Sequence, residues 1–103
     1  QIIEGQQVKP RPWLVISKNL LHQNSSGCVL LAITTNPANS PFMIPMNSQI
    51  LQSGSLDRIN ESKIIIDKPV YTLFRDIIDI KGKITPDFYS EIVSKIKNDV
   101  LEI

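Results

Sequence analysis

The sequence predicts a mainly β domain of the α+β class: a small barrel of short antiparallel strands with a C-terminal amphipathic helix. Three observations support this prediction. Short β-branched and apolar runs alternate with turn-forming residues, the clearest helical spacing lies near the C-terminus, and a length of 103 residues suits a single core. We therefore expect one domain over residues 1–103.

Two runs near the N-terminus predict buried strands. Residues 12–17 form a β-branched and aromatic run, and residues 28–34 form a continuous apolar run that ends in a polar loop. The second run is the better candidate for a central strand. Residues 19–27, between the two runs, are polar and rich in turn formers, so a loop is expected there.

Further runs predict three more strands. Residues 41–46 are apolar but contain two prolines, which cannot donate ladder hydrogen bonds, so an edge strand is expected. Residues 63–67 include three consecutive isoleucines and predict another buried strand. Ser53, Gly54 and Ser55 mark a turn, and a short strand is expected near Ser55.

The C-terminal helix is predicted to begin after Thr85. Thr85 can cap a helix, Pro86 suits its first position, and Asp87 interacts favourably with the positive end of the helix dipole. Apolar residues then recur at every fourth position: Phe88, Ile92, Ile96 and Val100, joined by Val93. This stripe is expected to pack onto the sheet.

Composition narrows the classes of function. Eleven Lys and Arg against ten Asp and Glu give a formal charge of +1, so any nucleic-acid site must be a local patch. The single cysteine, Cys28, lies in an apolar run and is expected to be buried. The acidic residues are scattered and the four glycines are isolated, so neither a metal nor a nucleotide cofactor is expected.

The location of the protein is predicted from its N-terminus and its apolar runs. No apolar run approaches the ~20 residues that a membrane span requires, and the N-terminus does not have the order of a signal peptide. A cytoplasmic location without membrane contact is therefore expected. The chain begins at Gln1 rather than Met, which is typical of a trimmed or processed product.

Four short motifs, in order along the chain, resemble those of the MazF/PemK (Kid-like) family of toxins. They are the run 7–17, in which Arg11 and Pro12 open a strand, the strand end 32–35, residues 55–59 with 66–68, and residues 80–84 ahead of the terminal helix. The resemblance implies an SH3-like or CcdB-like barrel. It also implies a sequence-selective, metal-independent endoribonuclease of a toxin-antitoxin system, which cleaves single-stranded RNA and thereby inhibits translation and growth.

The resemblance implies three partners, and the chain departs from the family pattern at two places. The partners are single-stranded RNA (mRNA), a cognate antitoxin whose flexible tail blocks the RNA groove, and a second copy of the chain in a homodimer. The family's N-terminal strand has no counterpart before Gln1, so the domain is expected to lack it. Some members have Ser-Glu-Gln where this chain has residues 5–7, so only Gln7 is carried over.

Arg11 and Thr34 are the predicted catalytic residues. In a metal-independent ribonuclease the ribose 2′-hydroxyl attacks the neighbouring phosphate, so the protein must hold the phosphate and stabilise the developing charge. Arg11 offers a planar fork of donors that matches phosphate oxygens, and Thr34 can donate its hydroxyl to a nonbridging oxygen. From residue type alone, Arg11 also fits a solvated surface residue and Thr34 a strand end that bonds the backbone.

Other residues are predicted to contact RNA, namely Gln7, Lys9, Thr35 and Ser55. Lys9 and Lys18 flank the first predicted strand and can follow the RNA backbone. Trp13 or Phe42 would stack a base if exposed, although Trp13 fits the core better. His22 is the only histidine and a candidate base, but it lies in the loop predicted after that strand, with no implied partner.

Two alternative functions remain open from the sequence. One is a CcdB-like toxin that binds a topoisomerase without catalysis, in which Arg11 and Thr34 have no paired role. The other is a barrel that acts only as a binding module. The motifs around Arg11 and Thr34 favour the ribonuclease.

Overall fold

The structure is built mainly from short strands. A computed structural model describes residues 1–5 and 11–101, and these form eight strands and two α-helices. The strands are β1 (Ile2–Gly5), β2 (Arg11–Val15), β3 (Gly27–Thr34), β4 (Met43–Pro45), β5 (Leu51–Gly54), β6 (Lys63–Ile65), β7 (Val70–Leu73) and β8 (Ile77–Ile84). The helices are α1 (Asn19–Asn24) and α2 (Pro86–Lys95), and a π-helical turn, Ile96–Val100, continues α2.

The strands form one antiparallel sheet that curls into a half-barrel. Its order is β4-β6-β3-β2-β1-β8-β5, and β7 pairs with β3 beside this path. Strand β3 is central because it pairs with β2, β6 and β7. The predicted class, a mainly β barrel-like fold with a C-terminal helix, is confirmed.

Two apolar clusters lie on opposite faces of the sheet. Alternate residues of β3 divide between them: Leu31 and Ile33 belong to the first cluster, and Cys28 and Leu30 to the second. Helix α2 covers the first cluster with Phe88 and Ile92, among others. The second cluster consists of Ile3, Trp13, Val15, Cys28 and Leu30. We call the face that bears it the Trp13 face.

Most elements with a strong sequence signal are confirmed. Strands β2, β3 and β6 lie within or next to the predicted runs, β4 is an edge strand, and β5 ends just before Ser55. Thr85 caps α2, since its Oγ1 accepts a hydrogen bond from the Phe88 N–H at 3.2 Å. Cys28 is buried as predicted, at 1% exposure, and burial raises the pKa of its thiol.

Two expectations are wrong. The loop predicted for residues 19–27 contains helix α1. Val93 does not join the buried stripe of α2, because 40% of its surface is exposed. Its position puts it at the side of the helix rather than against the sheet, since residues three and four apart share a helical face and Val93 directly follows the buried Ile92.

Strand β1 lies in a stretch to which the sequence patterns assigned no element. It pairs with β2 on one side and β8 on the other, so it joins the two halves of the sheet. The expected lack of a family strand before Gln1 concerns residues outside this chain, so it stays a prediction. Residues 6–10 are outside the described residues.

Candidate active site

A row of three side chains crosses the end of strand β3. Thr34 ends β3, Arg11 begins β2 and Lys63 begins β6. Thr34 is opposite Lys63 in the β3–β6 register, and the β2–β3 pair Trp13↔Ala32, continued by two residues, puts Arg11 opposite Thr34. Directly opposed residues of antiparallel strands project from the same face. The Arg11-Thr34-Lys63 row therefore lies on the Trp13 face.

The Arg11 guanidinium is held by two contacts. Its Nη2 donates a hydrogen bond to the Ile33 carbonyl at 3.3 Å, and its Cζ lies 5.4 Å from the centroid of the Trp13 ring. The first contact directs the fork toward the end of β3, and the second supports the cation on an aromatic face. Arginine has five N–H donors, so the remaining ones can bind an anion.

The Thr34 hydroxyl can act as a hydrogen-bond donor. Its Oγ1 accepts a hydrogen bond from the Asn36 N–H at 3.1 Å. Because the oxygen is the acceptor in that bond, the hydroxyl proton can still be donated to another group. In the same loop, the Ala38 N–H donates to Asn36 Oδ1 at 3.0 Å, so side chains shape the backbone that follows Thr34.

Lys63 fastens this loop to the sheet. Its Nζ donates to the carbonyls of Pro37 and Ala38 at 3.2 and 2.7 Å, and to Asn39 Oδ1 at 2.8 Å. A lysine ammonium has three donors, so all three hold the loop of residues 36–39. The positive charge nevertheless remains close to Thr34. Thr34 thus lies between two cations from the strands on either side of β3.

An acidic side chain on the neighbouring strand lies outside this row. Glu4 is opposite Pro12 in the β1–β2 register, and Pro12 projects from the face opposite to that of Arg11 because side chains alternate along a strand. Glu4 Oε2 instead lies 3.4 Å from Lys81 Nζ. The same lysine contacts Asp79 at 3.2 Å, which lowers the pKa of Asp79 and raises the pKa of Lys81.

The structure brings only some predicted residues to Arg11. Thr35 follows Thr34 and is exposed. Ser55 is distant from the row: it follows β5, three strands from β2 in the sheet order. The strand registers also place the end of β5 level with Leu14, near the end of β2 that is remote from Arg11. The successive pairs are Gly54↔Gly82, Gly82↔Ile2 and Ile2↔Leu14. Gln7 and Lys9 lie outside the described residues.

Lys18 and His22 lie beyond the other end of β2. At ~3.3 Å per residue, that end is about 13 Å from Arg11. His22 Nε2 is 2.7 Å from Ser17 Oγ, and the His22 ring meets the Phe74 ring edge-on at 5.6 Å. Ser17 Oγ also accepts from the Val29 N–H at 2.9 Å. These contacts attach α1 to the sheet and give His22 a structural role.

Two features are absent from the described part of the chain. Residues 1–5 and 11–101 contain no group of three or more His, Cys, Asp or Glu side chains arranged to hold a metal ion. Within the same ranges, no helix has both the length and the apolar character that a membrane crossing requires.

Comparison with known protein families shows which family the chain belongs to. The family described as "PemK-like, MazF-like toxin of type II toxin-antitoxin system" matches residues 1–99. The chain belongs to this toxin family. No curated protein matches it significantly.

Solved structures of similar fold include three mycobacterial proteins. "Mycobacterium tuberculosis toxin MazF-mt6" has a TM-score of 0.76 at 18% identity, covering 94% of this toxin and 92% of that chain. "Endoribonuclease in complex with its cognate antitoxin from Mycobacterial species" has a TM-score of 0.75 at 19% identity, with 94% and 87% covered. "Endoribonuclease from Mycobacterial species" has a TM-score of 0.74 at 18% identity, with 94% and 84% covered. At identities of 18% and 19%, the likeness establishes that this chain shares the fold of these proteins, and it establishes the fold alone.

Lys63 is a residue of the toxin's candidate site that no sequence pattern indicates. The sequence predicts only that Lys63 lies at the start of a buried strand. The three acceptors of its Nζ lie 24 to 26 residues earlier in the chain, and no local pattern links a lysine to such distant partners. The lone position of Lys63 before an isoleucine run was the only available signal.

Proposed function

We propose that this toxin is a metal-independent endoribonuclease that cleaves single-stranded RNA with sequence selectivity. Membership of the toxin family and the names of the structurally similar endoribonucleases support the reaction class. The observation that carries the proposal is the Arg11-Thr34-Lys63 row. It places a guanidinium fork and a hydroxyl within one short segment of the sheet surface, between two positive charges.

The row has the features needed to bind a phosphodiester and stabilise its transition state. Arg11 donates to the nonbridging oxygens, where negative charge grows as the ribose attacks. The Thr34 hydroxyl donates to the same phosphate and fixes its orientation. Lys63 adds a nearby positive charge and holds the loop after Thr34 in place.

The chemical step uses the substrate's own hydroxyl. A bond forms between the ribose 2′-oxygen and phosphorus, and the bond from phosphorus to the 5′-oxygen breaks. The 2′-hydroxyl loses a proton and the leaving 5′-oxygen gains one. The products are a 2′,3′-cyclic phosphate and a 5′-hydroxyl, and the step needs neither an oxidant nor a metal.

RNA contacts are proposed around the row. Thr35 is well placed because it is exposed and adjacent to Thr34. Gln7 and Lys9 precede Arg11 in the chain. They are proposed to contact the bound RNA on either side of the scissile phosphate. Ser55 would meet RNA only if the bound strand extends across the sheet, because β5 lies three strands from β2.

The partners proposed for the toxin follow its family. A cognate antitoxin is expected because the family belongs to toxin-antitoxin systems and one similar structure is described as a complex with its antitoxin. A homodimer and a cytoplasmic location, where mRNA is translated, complete the proposal. Cleavage of mRNA would inhibit translation and growth.

A cleavage assay on a mixed-sequence RNA tests the proposal. The expected result is cleavage in excess EDTA, with 2′,3′-cyclic phosphate ends identified by mass spectrometry. A substrate with deoxyribose at the scissile position should remain intact, because it has no 2′-hydroxyl. Cleavage that EDTA abolishes would overturn the mechanism. Intact RNA together with inhibition of a topoisomerase would favour the CcdB-like alternative, and intact RNA that stays bound would favour a binding module.

A further inference from the structure

A groove lies between helix α1 and the C-terminal helix, far from the candidate active site. Its volume is about 440 Å³. Ile16 and Leu21 line one wall, and Val93, Ile96 and Leu101 line the other. Because Ile16 follows the end of β2 and Arg11 begins it, the groove is about 15 Å or more from Arg11 at ~3.3 Å per residue.

The groove exposes apolar side chains that the fold does not use. Leu21, Val93 and Leu101 are 37%, 40% and 52% exposed. Val93 and Leu101 are exposed, although other apolar residues of the same C-terminal region, such as Phe88 and Ile92, are buried. Apolar side chains that cluster in a concave surface are typical of a binding site rather than of a solvated face.

Both walls of the groove have a lysine at the rim. Lys18 lies on the α1 side and Lys97 on the α2 side. Among residues 1–5 and 11–101, neither lysine forms an ion pair. The nearby acidic residues are directed elsewhere: Asp99 pairs with Lys95 at 3.3 Å, and Glu91 precedes Val93 by two positions, so it projects from another face of α2.

An apolar floor between two lysine cations is complementary to an acidic amphipathic segment. We propose that this groove binds a short segment of a partner protein in which apolar side chains alternate with Asp or Glu. The apolar side chains enter between α1 and α2, and the carboxylates meet Lys18 and Lys97. A membrane surface fits the same charge less well, because the apolar residues line a groove between two helices.

The position of the Ser17–His22 contact supports a preformed groove. Ser17 lines the groove, and its hydrogen bonds to His22 at 2.7 Å and to the Val29 N–H at 2.9 Å attach α1 to the sheet. On the other wall, the Tyr89 hydroxyl donates to the Ile16 carbonyl at 2.7 Å and ties α2 to the end of β2. Both walls are thus fixed before a ligand arrives, which lowers the entropy cost of binding.

Fluorescence anisotropy with two labelled peptides tests the proposal on the full chain. The first peptide alternates leucine with glutamate, and the second has lysines in place of the glutamates. The acidic peptide should bind and the basic peptide should not. Lys97→Glu should weaken binding of the acidic peptide at least about tenfold, whereas the control Lys68→Glu, with the same change of charge on an exposed loop residue, should leave it unchanged.

A second pair of measurements separates peptide binding in the groove from binding to a membrane or to a second copy of the chain. Val93→Glu should also abolish binding while the melting temperature stays near that of the wild type, because Val93 is partly exposed. Equal binding of both peptides, or equal effects of the Lys97 and Lys68 changes, would overturn the proposal. So would binding to anionic lipid vesicles that depends on Lys97, or self-association that Val93→Glu removes. The assay requires no RNA cleavage, so its outcome is independent of the proposed activity.

Discussion

At the scale of single residues, Arg11 is the side chain on which the proposed chemistry depends most. Replacement by alanine removes preorganised donors from the phosphate, and loss of one such donor typically lowers kcat by about 10²–10³-fold. Arg11→Lys keeps the charge but loses the planar fork, so its activity should be intermediate. Single-turnover cleavage of one RNA measures both.

A matched change elsewhere distinguishes catalysis from stability in this experiment. Arg75 is an exposed arginine in the turn before β8, and Arg75→Ala should leave the rate unchanged. Arg11→Ala should also lower the free energy of unfolding by about 1 kcal/mol, because it loses contacts with Ile33 and Trp13. Equal rates for the two alanine variants would remove Arg11 from the mechanism.

The Thr34 hydroxyl has two separable functions. It accepts a hydrogen bond from the Asn36 N–H and is proposed to donate to the phosphate. Thr34→Val removes both, and Thr34→Ser keeps both. We expect cleavage by the valine variant to be slower by about tenfold or more, equivalent to the ~1.4 kcal/mol of one modest hydrogen bond, and the serine variant to be close to wild type.

The measurement for Thr34 is the cleavage rate together with the melting temperature. Thr34 is partly exposed, so water can replace the hydroxyl at the Asn36 amide and the fold should persist. Thr72→Val is the control, since it makes the same change at a partly exposed residue of β7 that has no proposed role. A valine variant at position 34 that cleaves at the wild-type rate would leave Thr34 with a structural role alone.

The two residues predicted from sequence as catalytic lie together for a reason that the chain itself contains. Each is at the end of an apolar run, and antiparallel pairing of consecutive strands places the start of one run beside the end of the next. Ser55 could not be placed in this way. Its distance from Arg11 depends on β1 and β8 being inserted between β2 and β5, and the sequence patterns assigned no strand to either stretch.

At the scale of elements, the loop of residues 36–39 depends on one side chain. Lys63 donates to three acceptors in it. Lys63→Met keeps the aliphatic stem but removes all three donors, so the amides of this loop should exchange faster with solvent and cleavage should slow. Hydrogen exchange by mass spectrometry and the cleavage rate measure the two effects. Lys63→Arg, which retains a cation and several donors, should restore part of both.

The control for the loop is Lys68→Met, which removes an exposed lysine that forms no ion pair among the described residues. It should change neither exchange in residues 36–39 nor cleavage. If Lys63→Met slows cleavage without affecting exchange, its charge rather than its hydrogen bonds would be what the site needs. If exchange rises while cleavage is unchanged, the order of the loop is irrelevant to the reaction.

Elements with local signals were predictable, and elements held by distant contacts were not. Helix α2 has a cap, a proline at its start and an apolar repeat, all within the helix. Helix α1 has only six residues and no side-chain cap, and contacts of His22 with Ser17 and Phe74 hold it. Strand β8 was missed because much of it is exposed and charged, as in the contacts of Lys81 with Glu4 and Asp79.

At the scale of the whole molecule, the two apolar clusters share the same strands. Strands β1, β2 and β3 each contribute residues to both: Ile2 and Ile3 from β1, for example, belong to opposite clusters. A strand cannot leave one cluster without leaving the other. The clusters should therefore unfold together in one cooperative transition, as is usual for a domain of this size.

The single tryptophan makes this cooperativity measurable. Trp13 belongs to the second cluster, so its fluorescence reports that face, whereas circular dichroism at 222 nm reports chiefly α2 on the other.

Ile92→Val and Ile3→Val each remove one methylene, the first from the α2 cluster and the second from the Trp13 cluster, at residues that are 0% and 1% exposed. Each should lower the free energy of unfolding by about 0.5–1.5 kcal/mol. In urea unfolding, each variant should move both midpoints equally. Ile80→Val, at a residue 60% exposed, should move neither midpoint detectably, because it should change the free energy of unfolding by no more than ~0.5 kcal/mol. A change in the α2 cluster that shifts dichroism while fluorescence is unaffected would mean that the two faces of the sheet unfold separately.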